Sequence, residues 1–252
     1  STENGSIVTT FLNANAANLW FDGSSTVYGD LGAAAVSGVE NIQTFKEVYA
    51  GANGAVVNFE NDVYVTDNTF FVYGTGVVNF NGSLNGPLVF SADGYVNVGD
   101  GQSITGEITT STNNTGTLSF VGSSTTAEDL GTAAASLKAV NLHGNAGTSA
   151  LAVTSDDEVA NIGHNIYAQL TTVGANTTVN LTNSVNLGTG LTLADSTVTL
   201  NTAGQTFTQL ANGRLSAVGG VHKGTIGNGA LSLNGATVNF AINNADWTSN
   251  AG

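Results

Sequence analysis

A three-residue pattern recurs through this 252-residue chain: an apolar residue, a small polar residue, most often Asn, and a second apolar residue. It reads Val57-Asn58-Phe59, Val78-Asn79-Phe80, Val96-Asn97-Val98, Leu118-Ser119-Phe120 and Val140-Asn141-Leu142 in the first part of the chain. It returns as Val179-Asn180-Leu181, Val198-Thr199-Leu200, Leu231-Ser232-Leu233 and Val238-Asn239-Phe240. Residues two apart on a strand share one face and the residue between them takes the other, so each triplet predicts a short strand with an inward pair. Neighbouring copies among the first five are 18 to 22 residues apart. Asn-Gly, Asp-Gly, Gly-Asn and Gly-Thr turns fill the intervals, with no 3.6-period run long enough for a crossover helix.

Short strands at this spacing predict an all-β chain folded as a parallel β-helix (β-solenoid) of about 20-residue coils. Tandem antiparallel β-sandwiches are the alternative, split near residue 110 where TTSTNNTG (109–116) would be a linker. Sandwich strands usually alternate over about five or six residues, and these triplets are shorter. A longer repeat is superposed: LWFDGSSTVYGDLGAAA (19–35) matches LSFVGSSTTAEDLGTAA (118–134) at 11 of 17 positions, at an offset of 99 residues. That offset is near five short periods, so a block of several coils is expected to be duplicated in phase. Residues 1–252 are read as a single β-solenoid segment of a larger protein, because the chain starts at Ser1 and contains no Met.

If one position recurs on successive coils about 4.8 Å apart, Asn side chains there can hydrogen-bond in a ladder. The competing explanation is that Asn is frequent because turns favour it. Pro87, the one proline, lies where a turn enters a strand and its missing donor is tolerated.

Hydrophobic residues make up 41% of the chain, too many for a disordered segment, and charged residues only 9%. Four basic residues against 18 acidic ones leave a net charge of −14, which repels nucleic acid and anionic membrane surfaces. No apolar run reaches the roughly 18 residues of a membrane-spanning helix, so the segment is not expected to insert in a membrane. With no Cys there are no disulfides and no thiolate metal sites, which suits passage through an oxidising periplasm.

No nucleophile elbow, phosphate loop, dinucleotide fingerprint, zinc-protease or EF-hand motif is completed. His143, His164 and His222 are far apart in sequence, as are Lys46, Lys138, Arg214 and Lys223. The chain is therefore read as non-enzymatic. A polysaccharide-active β-helix enzyme, which needs a base or a facing carboxylate pair, is the remaining catalytic alternative. Calcium is the one cofactor considered: Asp93, Asp100, Asp156, Asp157 and Glu158 are hard oxygen donors near turns, with solvated turns as the competing reading. The nonapeptide calcium motif GGxGxD is absent.

Aromatic residues concentrate in the first third, as Trp20, Phe21, Tyr28, Tyr49, Tyr64, Phe70, Phe71 and Tyr73. Core filling accounts for some of them. Trp20, Tyr64, Phe70, Phe71 and Tyr73 are the candidate partner surface, since adjacent Phe70 and Phe71 in a strand must turn at least one ring outward.

The coils NNTGTLSFVGSS (113–124), GTGVVNFNGS (74–83) and IGNGALSLNGATVNF (226–240) resemble passenger regions of bacterial autotransporters. They are particularly similar to the rickettsial surface cell antigens of the outer-membrane protein B type. The resemblance implies an extracellular β-helical passenger displayed on the bacterial cell surface and used for adhesion. The implied partner is a host-cell or neighbouring-cell surface protein. A self-assembling surface-layer or filament subunit is the alternative, with copies of the chain itself as the partner.

Overall fold

Val57, Val78, Val96, Leu118 and Val140 lie side by side on adjacent parallel strands, in the register that the triplets set. The computed structural model describes residues 2–3, 18–33, 45–65, 68–122, 125–142 and 158–174, together with the backbone of strands between 177 and 233. Among the described residues every strand pairing is parallel and no helix occurs, so the fold is a β-solenoid. Antiparallel sandwiches are excluded for these residues. Strand Ile108–Thr110 stacks in register on Leu88–Phe90, so the coil runs through residue 110 and the expected linker is a corner.

Each regular coil has three short strands, one on each of three faces. An aromatic face carries Asn18–Trp20, Glu47–Ala50, Thr69–Val72, Leu88–Phe90 and Ile108–Thr110. The chain then turns onto an asparagine face, with Ser25–Val27, Val56–Phe59, Val77–Phe80, Tyr95–Val98, Thr117–Phe120, Leu137–Leu142 and Ala168–Val173 in order. A short face of Val63–Tyr64, Leu84–Asn85, Ser103–Ile104 and Thr125–Thr126 closes the coil.

The inward residues of all three faces meet in one core. Val57, Val78, Val96, Leu118 and Val140 from the asparagine face are fully buried, as are Val48, Phe70 and Leu88 from the aromatic face and Val63, Leu84 and Ile104 from the short face. Phe59 stacks on Phe80 with centroids 5.5 Å apart, and Phe70 meets both rings edge-on at 5.6 and 5.1 Å. Each such side chain contributes about 1.5–3 kcal/mol by leaving water. Strands of two to four residues are stable here because each is held by the coil above and the coil below.

The corners explain much of the glycine. A Cβ on Gly76 would lie 2.2 Å from the carbonyl oxygen of Ala52, and one on Gly106 would lie 2.3 Å from the backbone of Gly86. Backbone stacks directly on backbone there, so any side chain would collide.

Two expectations need correction. After Val140-Asn141-Leu142 the asparagine face continues with Thr171-Thr172-Val173, and not with Val179-Asn180-Leu181. The intervening strand Glu158–Ile162 lengthens the chain between these rungs and opens a separate parallel sheet, where Val179-Asn180-Leu181 pairs with Ala160-Asn161-Ile162 and Val179 pairs with Leu200. Leu231-Ser232-Leu233 is back on the asparagine face, opposite Leu215-Ser216-Ala217, and Val238-Asn239-Phe240 lies outside the described residues.

The second correction concerns the long repeat. Leu19 is in register with Val48, Phe70, Leu88 and Ile108 on the aromatic face, whereas its counterpart Leu118 is on the asparagine face. Val27 likewise belongs to the asparagine face and its counterpart Thr126 to the short face. The offset of 99 residues is therefore four coils plus one face. The duplicated block is out of phase, and the same sequence forms two different faces.

Candidate functional site

Alternation on strand Asn18–Trp20 packs Leu19 against the core and turns Trp20 outward. Register then sets Trp20 opposite Tyr49, and Tyr49 opposite Phe71. The rings follow the backbone. Trp20 stacks on Tyr49 with centroids 3.7 Å apart and planes 2° from parallel, and Tyr49 stacks on Phe71 at 4.9 Å and 13°. Tyr73, just beyond strand Thr69–Val72, stands across this column, 5.3 Å from Trp20 at 72° and 6.3 Å from Tyr49 at 73°. Trp20 remains 50% exposed, the largest apolar side chain the described surface shows to this degree.

Carboxylates hold the polar ends of the cluster. Tyr49 donates its hydroxyl to Glu47 Oε2 at 2.7 Å, and Asn18 Nδ2 donates to the same oxygen at 2.9 Å. Tyr73 donates to Asp22 Oδ1 at 2.7 Å. Burial, then the bond to Asp22 and its charge, push the Tyr73 hydroxyl up to about 12. The bond to Glu47, followed by burial and the Glu47 charge, raises Tyr49 above the ordinary tyrosine value. Both hydroxyls are thus held protonated, which fixes the carboxylates beside the rings.

The structure brings together three of the five candidate surface residues: Trp20, Phe71 and Tyr73. Phe70 is corrected: it is fully buried against Phe59 and Phe80, because alternation that turns Phe71 outward must turn Phe70 inward. Tyr64 is on the short face, where its hydroxyl donates to Asp62 at 3.0 Å and burial with that bond raises its pKa. It is separate from the column. Tyr49, outside the candidate set, is the middle of the column. Its signal was the alternation Glu47-Val48-Tyr49-Ala50, but pairing it with Trp20 required knowing that residues 29 apart share a register.

Asp93, a calcium candidate, is engaged with protein partners in this arrangement. Its Oδ2 binds Lys138 Nζ at 2.6 Å and its Oδ1 accepts from the Gly116 amide at 3.2 Å. Asp100 is an exposed turn residue, Asp156 and Asp157 lie outside the described residues, and of Glu158 only the backbone strand is described. Among the described residues no three His, Asp or Glu side chains gather as a metal ion requires.

A cleft of about 610 Å³ lies where the regular coils give way, lined by Glu107, Glu128, Asp129, Thr132 and Tyr167 among others. Glu107 and Asp129 precede the bridged pair Ile108 and Leu130, so they occupy one register position on successive coils. Both oxygens of Asp129 hold Asn165, from its amide at 2.8 Å and its Nδ2 at 3.0 Å, and His164 Nδ1 lies 3.8 Å away. Asp129 thus acts as a clamp between coils. His143 and His222 lie outside the described residues.

No family model, curated protein or solved structure matches the chain.

Proposed function

We propose that the chain is a non-enzymatic passenger segment of a bacterial autotransporter, displayed outside the cell, that works by contact with a protein on a host or neighbouring cell. The observation that carries this reading is the outward column of Trp20, Tyr49 and Phe71. A half-exposed Trp on a rigid, flat sheet is the kind of anchor that dominates protein contacts, since it offers a large apolar area with few rotamers to freeze.

The internal repeat supports the reading. Its second copy keeps the core residues Leu118, Phe120 and Leu130 where the first has Leu19, Phe21 and Leu31, yet has Ser119 for Trp20 and Val121 for Asp22. The two copies lie on different faces, so the outward column belongs to the first copy alone.

Adhesion of beads coated with the chain to cultured cells tests this. Trp20→Ser with Tyr49→Ser is expected to abolish adhesion while the melting transition remains cooperative. Unchanged adhesion by the folded double variant would remove the column from the reading.

Self-assembly is the second reading, favoured by a different observation. Val56, Val77, Tyr95, Ala139 and Leu170 form a register-matched outward stripe on the asparagine face, interrupted by the buried Thr117, with Val56, Tyr95 and Leu170 about 40% exposed. The parallel row Asn58, Asn79, Asn97, Ser119, Asn141 and Thr172 is likewise uncharged. The stripe itself is uncharged, and Lys138 beside it on strand Leu137–Leu142 is paired with Asp93, so on a chain of net charge −14 two copies meet there with little repulsion. Small-angle scattering over a concentration series, with and without calcium, tests it through growth into sheets or filaments.

A further inference from the structure

We infer that two copies of the chain join through the asparagine face as an antiparallel two-fold dimer centred on Thr117. This rests on the self-assembly reading above, and it names the surface that each copy offers and the way the two dock.

A face that meets a copy of itself across a two-fold axis must be complementary to itself, with each projection opposite a hollow. With the axis along strand Thr117–Phe120, the strands of the two copies run the same way and their coils run in opposite order. Tyr95 and Ala139 are in register on either side of Thr117, so Tyr95 of each copy lies over Ala139 of the other. Val77 and Leu170 are next in register on either side, and they too face each other. The sizes suit this order. Tyr95, 41% exposed, projects and meets a methyl group, while Thr117, 7% exposed, is recessed where the face meets itself.

The charges select the same centre. From Ser25–Val27 to Ala168–Val173 the strands of this face carry one charged residue, Lys138. It binds Asp93 of its own chain across the coil of Thr117. Lys138 is on the coil of Ala139 and Asp93 on that of Tyr95, so an axis through Thr117 brings Lys138 of each copy level with Asp93 of the other. The two ion pairs then form one cluster without net charge, and at 44% and 45% exposure their side chains are open to a second copy. An axis one coil away sets Tyr95 on Tyr95, or Lys138 against Lys138.

The contact lies within the sheet, which continues through Ser25–Val27 on one side and Gly190–Leu193 on the other. The seven strands from Val56–Phe59 to Gly190–Leu193 carry it. At about 4.8 Å per coil and about 14 Å of strand, each copy offers a face of roughly 34 by 14 Å. Both faces together approach the roughly 1,000 Å² at which specific contacts begin, so the dimer is weak and reversible.

Sedimentation of the whole chain up to about 1 mM is expected to show monomer passing into dimer, since a face of this size binds weakly. The chain contains no Cys, so Tyr95→Cys and Ala139→Cys each carry a single thiol. In a mixed dimer these thiols face each other, whereas in either self-dimer they stand two coils apart. A bismaleimide of about 10 Å, the spacing of facing sheets, should therefore join the mixture at least about fivefold faster than either variant alone. Asp93→Lys and Lys138→Asp each set like charges across the axis, and mixing them restores both pairs between copies. The mixed dimer should form about threefold to tenfold more readily than either self-dimer, as for exposed charge pairs. Each variant has lost its internal pair in both cases, so a merely structural role would not favour the mixture.

Dimers that crosslink without preference, or charge variants that associate no better mixed than alone, would overturn the two-fold arrangement and leave self-assembly to another surface. No association of the parent chain at about 1 mM, beyond the range of weak specific contacts, would overturn both.

Discussion

Asn79 donates its side-chain amide to Oδ1 of Asn58 at 2.7 Å, across 21 residues of chain and one coil of the solenoid. Asn97 donates to Asn79 in the same sense at 2.8 Å, and Asn58 donates on to Thr26 Oγ1 at 3.2 Å. The bonds all point toward the N-terminal coils, so each polarises the next. Asn141 donating to Ser119 at 3.0 Å repeats the motif farther along.

Asn79 is 6% exposed and serves as both donor and acceptor. Asn79→Ala would strand the Asn58 oxygen and the Asn97 amide together. Each orphaned group costs about 1–3 kcal/mol, so a loss of about 2–6 kcal/mol in urea unfolding is expected. A loss below about 0.5 kcal/mol would mean that Asn is there for its turn preference alone.

The corners make a sharper prediction. Gly76→Ala drives a Cβ to 2.2 Å from the Ala52 oxygen, whereas a Cβ on Gly23 meets nothing within 4 Å. Gly76→Ala is expected to cost more than about 3 kcal/mol, above the usual overpacking range because the obstacle is backbone. Gly23→Ala should stay within about 0.5 kcal/mol, as for an open surface site. Thermal melts of the pair check the contrast, and equal effects would refute the stacked corner.

The pattern of two made the inward and outward sides legible from sequence, and the 18 to 22 residue spacing made the coils legible, because both are local and repeat. Val57 through Val140 fell into register for that reason. Phase was not legible. Nothing local distinguishes a strand on one face from the same strand on the next, so the repeat that places Leu19 and Leu118 on different faces looked in phase. The same limit hid Tyr49, whose partnership with Trp20 depends on a 29-residue register step outside the usual spacing. Asp93 looked like a free oxygen donor because Lys138, its partner, is 45 residues away.

Alkaline pH should weaken the aromatic cluster. The Tyr73 hydroxyl is pushed from 10.0 up to about 12 in the folded chain, so between these values the folded state holds a proton that the unfolded state has lost. Stability then falls as pH rises. The contribution is complete below about pH 10 and is lost as pH climbs through about 12. Melting temperature against pH for the parent and Tyr73→Phe checks this: the fall over that window should be smaller in the variant. Parallel curves would place the shift elsewhere.

The pair of Lys138 and Asp93 is short, at 2.6 Å, but its side chains are 44% and 45% exposed. The bond to Asp93 raises the Lys138 pKa, yet solvent screens an exposed pair. Lys138→Ala is expected to change stability by less than about 1 kcal/mol, and the difference should shrink in about 1 M salt. A larger, salt-insensitive loss would show that the lysine stem packs on the coil more than its charge pairs.

The out-of-phase repeat makes exchange between its copies asymmetric. Trp20 and Ser119 occupy matching positions in the duplicated block, but Trp20 is half exposed at the end of the stack while Ser119 is 5% exposed within the asparagine row. Trp20→Ser removes one stacked aromatic pair, and about 1 kcal/mol of stability is expected to go with it. Ser119→Trp must fit an indole between the flanking coils and breaks the bond from Asn141. Overpacking of about 1–3 kcal/mol adds to the cost of the orphaned amide, for a total near or above about 3 kcal/mol. Urea unfolding of the two single variants measures the difference. Losses of equal size would mean that the two copies occupy equivalent faces, contrary to the register of Leu19 and Leu118.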